Sequence, residues 1–581
     1  MTAARPDRFP PPAPWKIPRG WIEQVYSPPN PGPVWFTDAG PRPAVRVALQ
    51  SFRDAGARGL APEDYDIGAL EDAIEALRGA NREAEAVDRV DRAMTATMLR
   101  LLSDLRFGRV RPEQVEPHYR APQKDAMFAA ELRDAVAQDR LVALIDAVEP
   151  TFPEYDRLKR LLANYRALAA QPAILLPPLV SPRTKIAVGD RYESTATLRA
   201  QLVRLGDLAA DSPYTQDVYT ETLAQALRRF QARHGLQADG VLGKDTLAAL
   251  NVPMAARLAQ ISLSLERLRW LPDLPPGPAI AINIPSFRLW AFADVSDTGR
   301  ITLSMPVVVG RALRTETPVF LGEMRFVEFS PYWNVPPSIL RKELLARLAS
   351  DPAYLQREDM EVVGTGRDGR TYAAIDAASH AALRSGEARL RQRPGSRNAL
   401  GGIKFVLPNT MDIYLHATPA RELFEHVRRD FSHGCIRVGE PEALAEFVLR
   451  GKPEWTSEQI ESAMASGVNR TVQLATPVPV VIFYTTAIVD SEGRALFLPD
   501  IYGHDRELQD AIARASRGAR WSIAPSISPA RDSPAANASR IQVDELRLGV
   551  ESDAASTQRR RGIAQLSKRN VGEAHVDGAS L

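Results

Sequence analysis

The chain has 581 residues, too many for one hydrophobic core, so about two to four domains are expected. Acidic and basic residues nearly balance, and the formal net charge of +2 offers no basic field of the kind that nucleic-acid binding requires. A single cysteine excludes an internal disulfide and any zinc or iron–sulfur site built on several thiolates.

Residues 1–41 are rich in proline and glycine and are expected to form an extended arm. From 42 to 175 the apolar spacing is helical, as in ALEDAIEALRGA and AMTATMLRLLSDLRFGRV, where Gly108 is a stop signal. The proline-broken stretch QPAILLPPLVSPRTK (171–185) reads as a connector. Residues 186–252 read as three short amphipathic helices. Leu198, Leu202 and Leu205 share one face, Leu223, Leu227 and Phe230 another, and Gly206 and Gly235 close the turns. From 278 onward the rhythm becomes that of strands, in AIAINIPSFRLWAF, ITLSMPVVVG, MRFVEFS and KFVLPNTMDIYLHA. Residues 337–400 between them read as a mostly helical, polar insertion over the sheet. GEPEALAEFVLRG is a predicted helix with Pro441 at its first position and Gly451 beyond its end, and VPVVIFYTTAIV and RALFLPDIY are predicted strands. Residues 515–581 have no sustained period and are expected to be a disordered tail, in which the RRR at 559–561 is a solvated charge cluster.

The lone thiol lies in FSHGCIRVG, at Cys435. A thiol attacks carbonyls as the thiolate, so a catalytic role needs a base, an orienter for that base, and donors for an oxyanion. Two histidines are near in sequence. In a strand His433 would share a face with Cys435 and line the same wall of a substrate site, and His416 ends the predicted strand MDIYLH. His416 is the favoured base, because a neighbouring strand can present it across a cleft. Gly434 permits close approach of a reacting carbonyl, with the N–H groups of 434 and 435 as oxyanion donors. Arg437 suits a substrate carboxylate, and Tyr414, on the same face as His416, borders the site. His118, His380 and His426 are assigned no role. The alternative for Cys435 is a small buried hydrophobe.

YLHATP and SHGCIRV closely resemble the signature of the L,D-transpeptidases, which carry the YkuD-type catalytic domain. NIPSFRLWAF, VVVGRALRTETPVF, SPYWNVPPSI, RQRPGSRNALGGIKF and YTTAIVDSEGRALFLPDIYGHD fit the YcbB-like branch, which adds scaffold and peptidoglycan-binding domains. ALRRFQARHGLQADGVLGKDTLAALN is similar to a three-helix peptidoglycan-binding domain, and LLSDLRFGRV resembles the branch's helical scaffold. The resemblance implies a multidomain chain. Its parts would be an all-α scaffold at 42–175, an all-α binding domain at 186–252, and a mixed, β-rich catalytic domain at 278–510 with a capping insertion at 337–400.

The family's mechanism, carried onto these residues, makes Cys435 attack the carbonyl between the third and fourth stem-peptide residues. D-Ala would leave with His416 as acid, and the thioester would pass to an amine on a second stem. A carbonyl just after the histidine orients its ring, and that position is Ala417 here, where relatives often carry Asp. Tyr332, Trp333 and Asn334 fall where the family lines its substrate cleft.

The implied substrate is peptidoglycan, both stem peptides and glycan strands, with other wall synthases as further partners. No metal or other cofactor is expected, since HExxH and comparable clusters are missing from the sequence. Two other readings are an L,D-carboxypeptidase or cross-link hydrolase using the same nucleophile, and a non-catalytic wall-binding protein. A substrate in the wall implies a periplasmic site of action and roles in wall biogenesis and cell shape. Yet no apolar run approaches the about 18 residues of a membrane span, and MTAARPDRFPPPAPWKIPRG lacks a signal-peptide pattern. The expectation is therefore that the true start lies upstream.

Overall fold

The computed structural model describes residues 18–27, 32–77, 83–179, 184–297, 300–351, 353–366, 370–372 and 375–518. All of them fall in the unit Met1–Ser522.

The N-terminal region is helical, with Pro43–Arg53, Ile67–Ala76, Ala84–Phe107, Phe128–Ala137, Leu141–Ala147 and Pro153–Ala169 as its main helices. The expected extended arm is corrected in its described part. Arg19–Val25 is a helix, Phe36–Thr37 pairs with Gly40–Pro41, and Tyr26, Val34, Trp35 and Phe36 are buried. The cause is Asp91 on the long helix. It accepts hydrogen bonds from Tyr26 Oη (2.5 Å) and from the N–H groups of Val34 (2.9 Å) and Trp35 (2.7 Å), tying aromatic residues spaced among prolines to the helical core. Residues 1–17 and 28–31 of the expected arm lie outside the described residues.

The next unit is built from helices Thr195–Arg204, Glu221–Arg233 and Lys244–Leu250. Its core contains Leu198, Leu202, Leu223, Leu227 and Phe230, the residues at helical spacing, together with Leu242 and Leu250. Helix Met254–Leu268 then leads to the sheet. Its end carries Glu266 and Arg269, both fully buried. Glu266 accepts the N–H groups of Arg109 and Val110 from the N-terminal region, and Arg269 donates to Glu266 and to Tyr155 Oη. Buried charges persist where paired and hydrogen-bonded, and these join the helical region to the sheet domain.

Among the described residues the main sheet has nine strands: β1 Ala279–Asn283, β2 Arg288–Phe292, β3 Leu303–Gly310, β4 Phe320–Phe329, β5 Ile403–Val406, β6 Leu415–His416, β7 Asp430–Ser432, β8 Ile436–Val438 and β9 Arg470–Phe483. Their order is β7-β3-β8-β6-β5-β4-β9-β1-β2, and β2 also pairs with β3, so eight of them close into a ring with β7 alongside β3. Ile280, Ile282, Leu289, Val307, Val309, Val327, Phe329, Ile403, Phe405, Leu415 and Ile436 fill its interior.

Residues 337–400 depart from the expected mostly helical insertion. They combine short helices with strands Met360–Gly364, Thr371–Tyr372 and Ala388–Gln392. With Trp333–Asn334 these make a separate four-stranded sheet. Its polar look in sequence comes from an outward row in which Glu361 binds Arg391 and Arg393, while Met360, Val362, Ala388 and Leu390 face the insertion's own core.

A hairpin, Ala487–Val489 with Ala495–Phe497, packs back on Tyr155, Leu158 and Tyr165 of the N-terminal region. Helix His504–Gly518 runs past the predicted start of the tail, and residues 519–581 lie outside the described residues. Among the described residues no helix is long and apolar enough to cross a membrane.

Candidate active site

Strands β6 and β8 are neighbours and run parallel, with Leu415 opposite Ile436 and His416 opposite Arg437. Lys404 on β5 faces His416 and, on its other side, Glu328 on β4. Directly opposed residues share a face of the sheet, so Glu328, Lys404, His416 and Arg437 form one transverse polar row on the face away from Ile403, Phe405, Leu415 and Ile436. Cys435 immediately precedes β8, and the N–H of Ile436 donates to Tyr414 O at 3.1 Å, which sets the thiol residue beside Tyr414.

The turn before β6 is built by Asn409. Its amide donates to Leu407 O (2.5 Å) and Ile413 O (2.7 Å), and its oxygen accepts from Met411 and Ile413. This turn presents the Asp412 carbonyl to Cys435 Sγ at 3.4 Å. The turn before β8 is closed by Ser432, whose Oγ donates to Cys435 O (2.6 Å) and accepts the Gly434 N–H (3.2 Å). Gly434 has φ of +118°, a conformation that a side chain disfavours. The Gly434 N–H, expected as an oxyanion donor, is thus occupied. The Cys435 N–H donates to no acceptor among the described residues.

His416 is buried, and its Nδ1 lies 2.5 Å from Ala417 O. A carbonyl only accepts, so Nδ1 carries the hydrogen and Nε2 is left with its lone pair. Burial, and then the Arg437 and Lys404 cations, push the imidazole down to about 3, so it is neutral at physiological pH. Cys435 retains some surface, yet the sulfur is ringed by protein. Burial raises its thiol above the usual 9.0, while Tyr414 and Lys404 oppose the rise. The sulfur's polar neighbours are Tyr414, Asp412 and Lys404, and the Tyr414 ring meets the His416 ring edge-on at 5.7 Å. Burial, then Cys435 itself, holds the Tyr414 hydroxyl well above its usual value. The resting pair is therefore thiol and neutral imidazole. Iodoacetamide alkylation of Cys435 is expected to accelerate steadily as pH rises, without levelling off below the ordinary thiol value of 9.0. A plateau near the ordinary histidine range, about pH 6.5, would mean a thiolate–imidazolium pair instead.

Arg437 is largely buried. Burial and then Arg311 lower its affinity for the proton, though a guanidinium stays charged. Its Nε has no hydrogen-bond partner among the described residues. His433 turns to the insertion, with Nε2 2.9 Å from Glu343 Oε1. Tyr414 packs against the insertion core, so the insertion touches both sides of the Cys435 turn.

Trp333 and Asn334, expected to line the cleft, belong to the insertion's sheet. Trp333 pairs with Gln392, Asn334 with Arg391, and the Trp333 ring sinks into the insertion's apolar core at 8% exposure. Asn334 is exposed, and Tyr332 lies under the Arg391 guanidinium. Local strand propensity cannot say which of two sheets a strand joins. Sequence reasoning also passed over Lys404, whose signal was alternation in IKFV, and Asn409 with Asp412, signalled by the turn formers in PNTMD.

Residues 277–480 match the family described as "L,D-transpeptidase catalytic domain", residues 191–250 a "Putative peptidoglycan binding domain", and residues 20–162 a "Scaffold domain". The chain carries a YkuD-type L,D-transpeptidase catalytic domain. A curated protein of Haemophilus influenzae named "Putative L,D-transpeptidase" is 33% identical over 249 residues, covering 43% of this chain and 48% of its own. The chain thus spans about half the length of that relative. The L,D-transpeptidase structure from Stackebrandtia nassauensis is 14% identical, covers 52% of this chain and 97% of its own, and has a TM-score of 0.22. Mycobacterium tuberculosis L,D-transpeptidase 1 is 12% identical, covers 36% and 62%, and has a TM-score of 0.16. Within the L,D-transpeptidase catalytic domain fall Cys435, His416, Gly434 and Arg437, and the insertion that meets His433 and Tyr414.

Proposed function

We propose that this chain is an L,D-transpeptidase that joins peptidoglycan stems through a thioester on Cys435. The neutral His416 Nε2 takes the thiol proton as sulfur attacks the carbonyl between the third and fourth residues of a tetrapeptide stem. The oxyanion that forms is met by the Cys435 N–H. The C–N bond breaks, and D-Ala leaves with the proton returned by His416. An amine of a second stem then attacks the thioester and gives up a proton, the C–S bond breaks, and the thiol is restored. Arg437, with its buried and unpartnered Nε, holds a stem carboxylate.

The observation that carries this reading is that the chain's one cysteine sits in the turn leading into β8, and the parallel neighbour of that strand, β6, bears a buried, neutral histidine tethered to a carbonyl. The peptidoglycan-binding match supports wall glycan as the partner, and two wall-directed domains in one chain support a place outside the cytoplasm, which we take to be the periplasm. Hydrolysis uses the same thioester with water as acceptor. Purified protein incubated with disaccharide tetrapeptides, followed by mass spectrometry of the products, separates the two. Cross-linked dimers support transfer to an amine, and tripeptides alone support hydrolysis. Arg437→Ala is expected to raise KM about tenfold or more, the order of a lost charge-assisted hydrogen bond, with little change in the thermal midpoint. An equal loss of stability would contradict the carboxylate role.

A further inference from the structure

Thr317 lies in the loop between β3 and β4 and is fully buried. Its hydroxyl donates to Gly434 O at 2.7 Å and accepts the N–H of Gly310 at 2.8 Å. A carbonyl only accepts, so the hydroxyl proton goes to Gly434 O, and a lone pair is left for the Gly310 N–H. Tyr502, buried and just ahead of the last helix, completes the arrangement. Its hydroxyl donates to Gly310 O at 2.6 Å and accepts the N–H of Thr317 at 3.2 Å. Gly310 is where the loop folds hardest. A Cβ there would stand 1.9 Å from Thr315 O, so only glycine fits. The same loop grips the other end of the Cys435 turn, where Ser432 O accepts from Arg311 N–H (3.0 Å) and Thr315 Oγ1 (3.0 Å).

The consequence follows from the planarity of the peptide unit. In a trans peptide the C=O of one residue and the N–H of the next point in opposite directions. Gly434 O and the Cys435 N–H belong to the same plane. Holding Gly434 O down towards the buried Thr317 turns the Cys435 N–H the opposite way, away from the loop. Gly434, at φ +118°, has the freedom to rotate this plane, so something must fix it. The N–H so aimed is the one without an acceptor among the described residues, while the Gly434 N–H is spent on Ser432.

We infer that Thr317, backed by Tyr502, is a positioning residue that sets the Cys435 N–H as the oxyanion donor. Neither touches substrate, and the role holds only if Cys435 forms the thioester proposed above. The clamp uses groups far apart in sequence, and the loop that bears Thr317 contributes no reacting atom.

Two reactions of the same sulfur separate this role from simple support of the fold. Imipenem acylates a thiol by opening its lactam: the C–S bond forms, the C–N bond breaks, the nitrogen takes a proton, and the carbonyl oxygen passes through an anion. Iodoacetamide alkylates by displacing iodide and forms no oxyanion. Both rates are read by intact-protein mass on the full chain. In Thr317→Val, acylation is expected to fall about 100-fold, the order for one lost oxyanion donor, with alkylation unchanged. Thr317→Ser, which keeps the hydroxyl, is expected to recover most of the acylation. Tyr502→Phe is expected to show a smaller loss of the same kind, and it carries the test if Thr317→Val does not fold. Equal acylation by folded Thr317→Val, or by Tyr502→Phe where that variant stands in, overturns the role, as does a parallel fall in both rates. If the unsubstituted protein is alkylated but never acylated, the thioester reading fails and this role with it.

Discussion

Cys435→Ala is expected to lower formation of both dimers and tripeptides from disaccharide tetrapeptides by at least about 10⁴-fold, the order seen when a nucleophile that works as a unit with its base is removed. The substitution removes one sulfur at a partly open position, where the thiol's hydrogen bond is a long 3.4 Å contact with Asp412 O. The turn itself is held by Ser432, Thr317 and the ladder of β6 with β8, all of which remain. The thermal midpoint should therefore stay close to that of the unsubstituted protein, and so should binding to isolated wall sacculi through the unit at 191–250. Activity and stability must separate. A folded Cys435→Ala protein that still makes dimers would remove the sulfur from the chemistry, and one that fails to fold would make it a packing residue instead.

The second large effect concerns stability. His504 is buried among the rings of Tyr484 and Tyr502, with Nδ1 2.9 Å from Glu116 Oε1 and Nε2 3.8 Å from Glu316 Oε2. The pair with Glu116 is close but out of line for a hydrogen bond. Burial opposes the charge, yet the two carboxylates outweigh it and raise the imidazole to about 10. Glu116 belongs to the N-terminal helical region, and Glu316 to the loop that carries Thr317. One cation therefore bridges the scaffold to the active-site loop.

His504→Gln leaves two carboxylates, one fully enclosed, facing a neutral amide. Breaking one side of a buried pair costs about 3–5 kcal/mol. A fall in the thermal midpoint of the unit holding these residues would report it. The sign with pH follows from the raised value: the stabilisation is complete below the usual 6.5 and is lost as pH rises through about 10. The gap between the two proteins should thus narrow in alkaline solution. A loss below about 1 kcal/mol at neutral pH, or a gap that widens with pH, would mean that His504 is uncharged.

Much of the site could be read in the sequence because its parts lie close along the chain. SHGC and YLHATP each carry their chemistry within a few residues, and the helical spacing of Leu198, Leu202, Leu223 and Leu227 needs no distant partner to be seen. Elements that depend on remote partners were not legible. Trp333–Asn334 gave no sign of its strand partners, which lie some sixty positions later. MEVVG and ARLRQ were hidden as strands because Glu361 and Arg391 fill their outer faces. Tyr26 and Trp35 sat among prolines and gave no sign of Asp91. Thr317 and Tyr502 could not be found at all, since nothing near either residue names Gly434 or Gly310 as its partner.

The central claim is that a stem peptide is held on Cys435 as a thioester. Intact-protein mass after rapid mixing with a disaccharide tetrapeptide, with peptide mapping of the adduct, tests it most directly. The account predicts a gain equal to the disaccharide tripeptide acyl group, located on Cys435, cleaved by hydroxylamine and matched by released D-Ala. Turnover of the tetrapeptide without any adduct on Cys435, or an adduct on another residue, would contradict it.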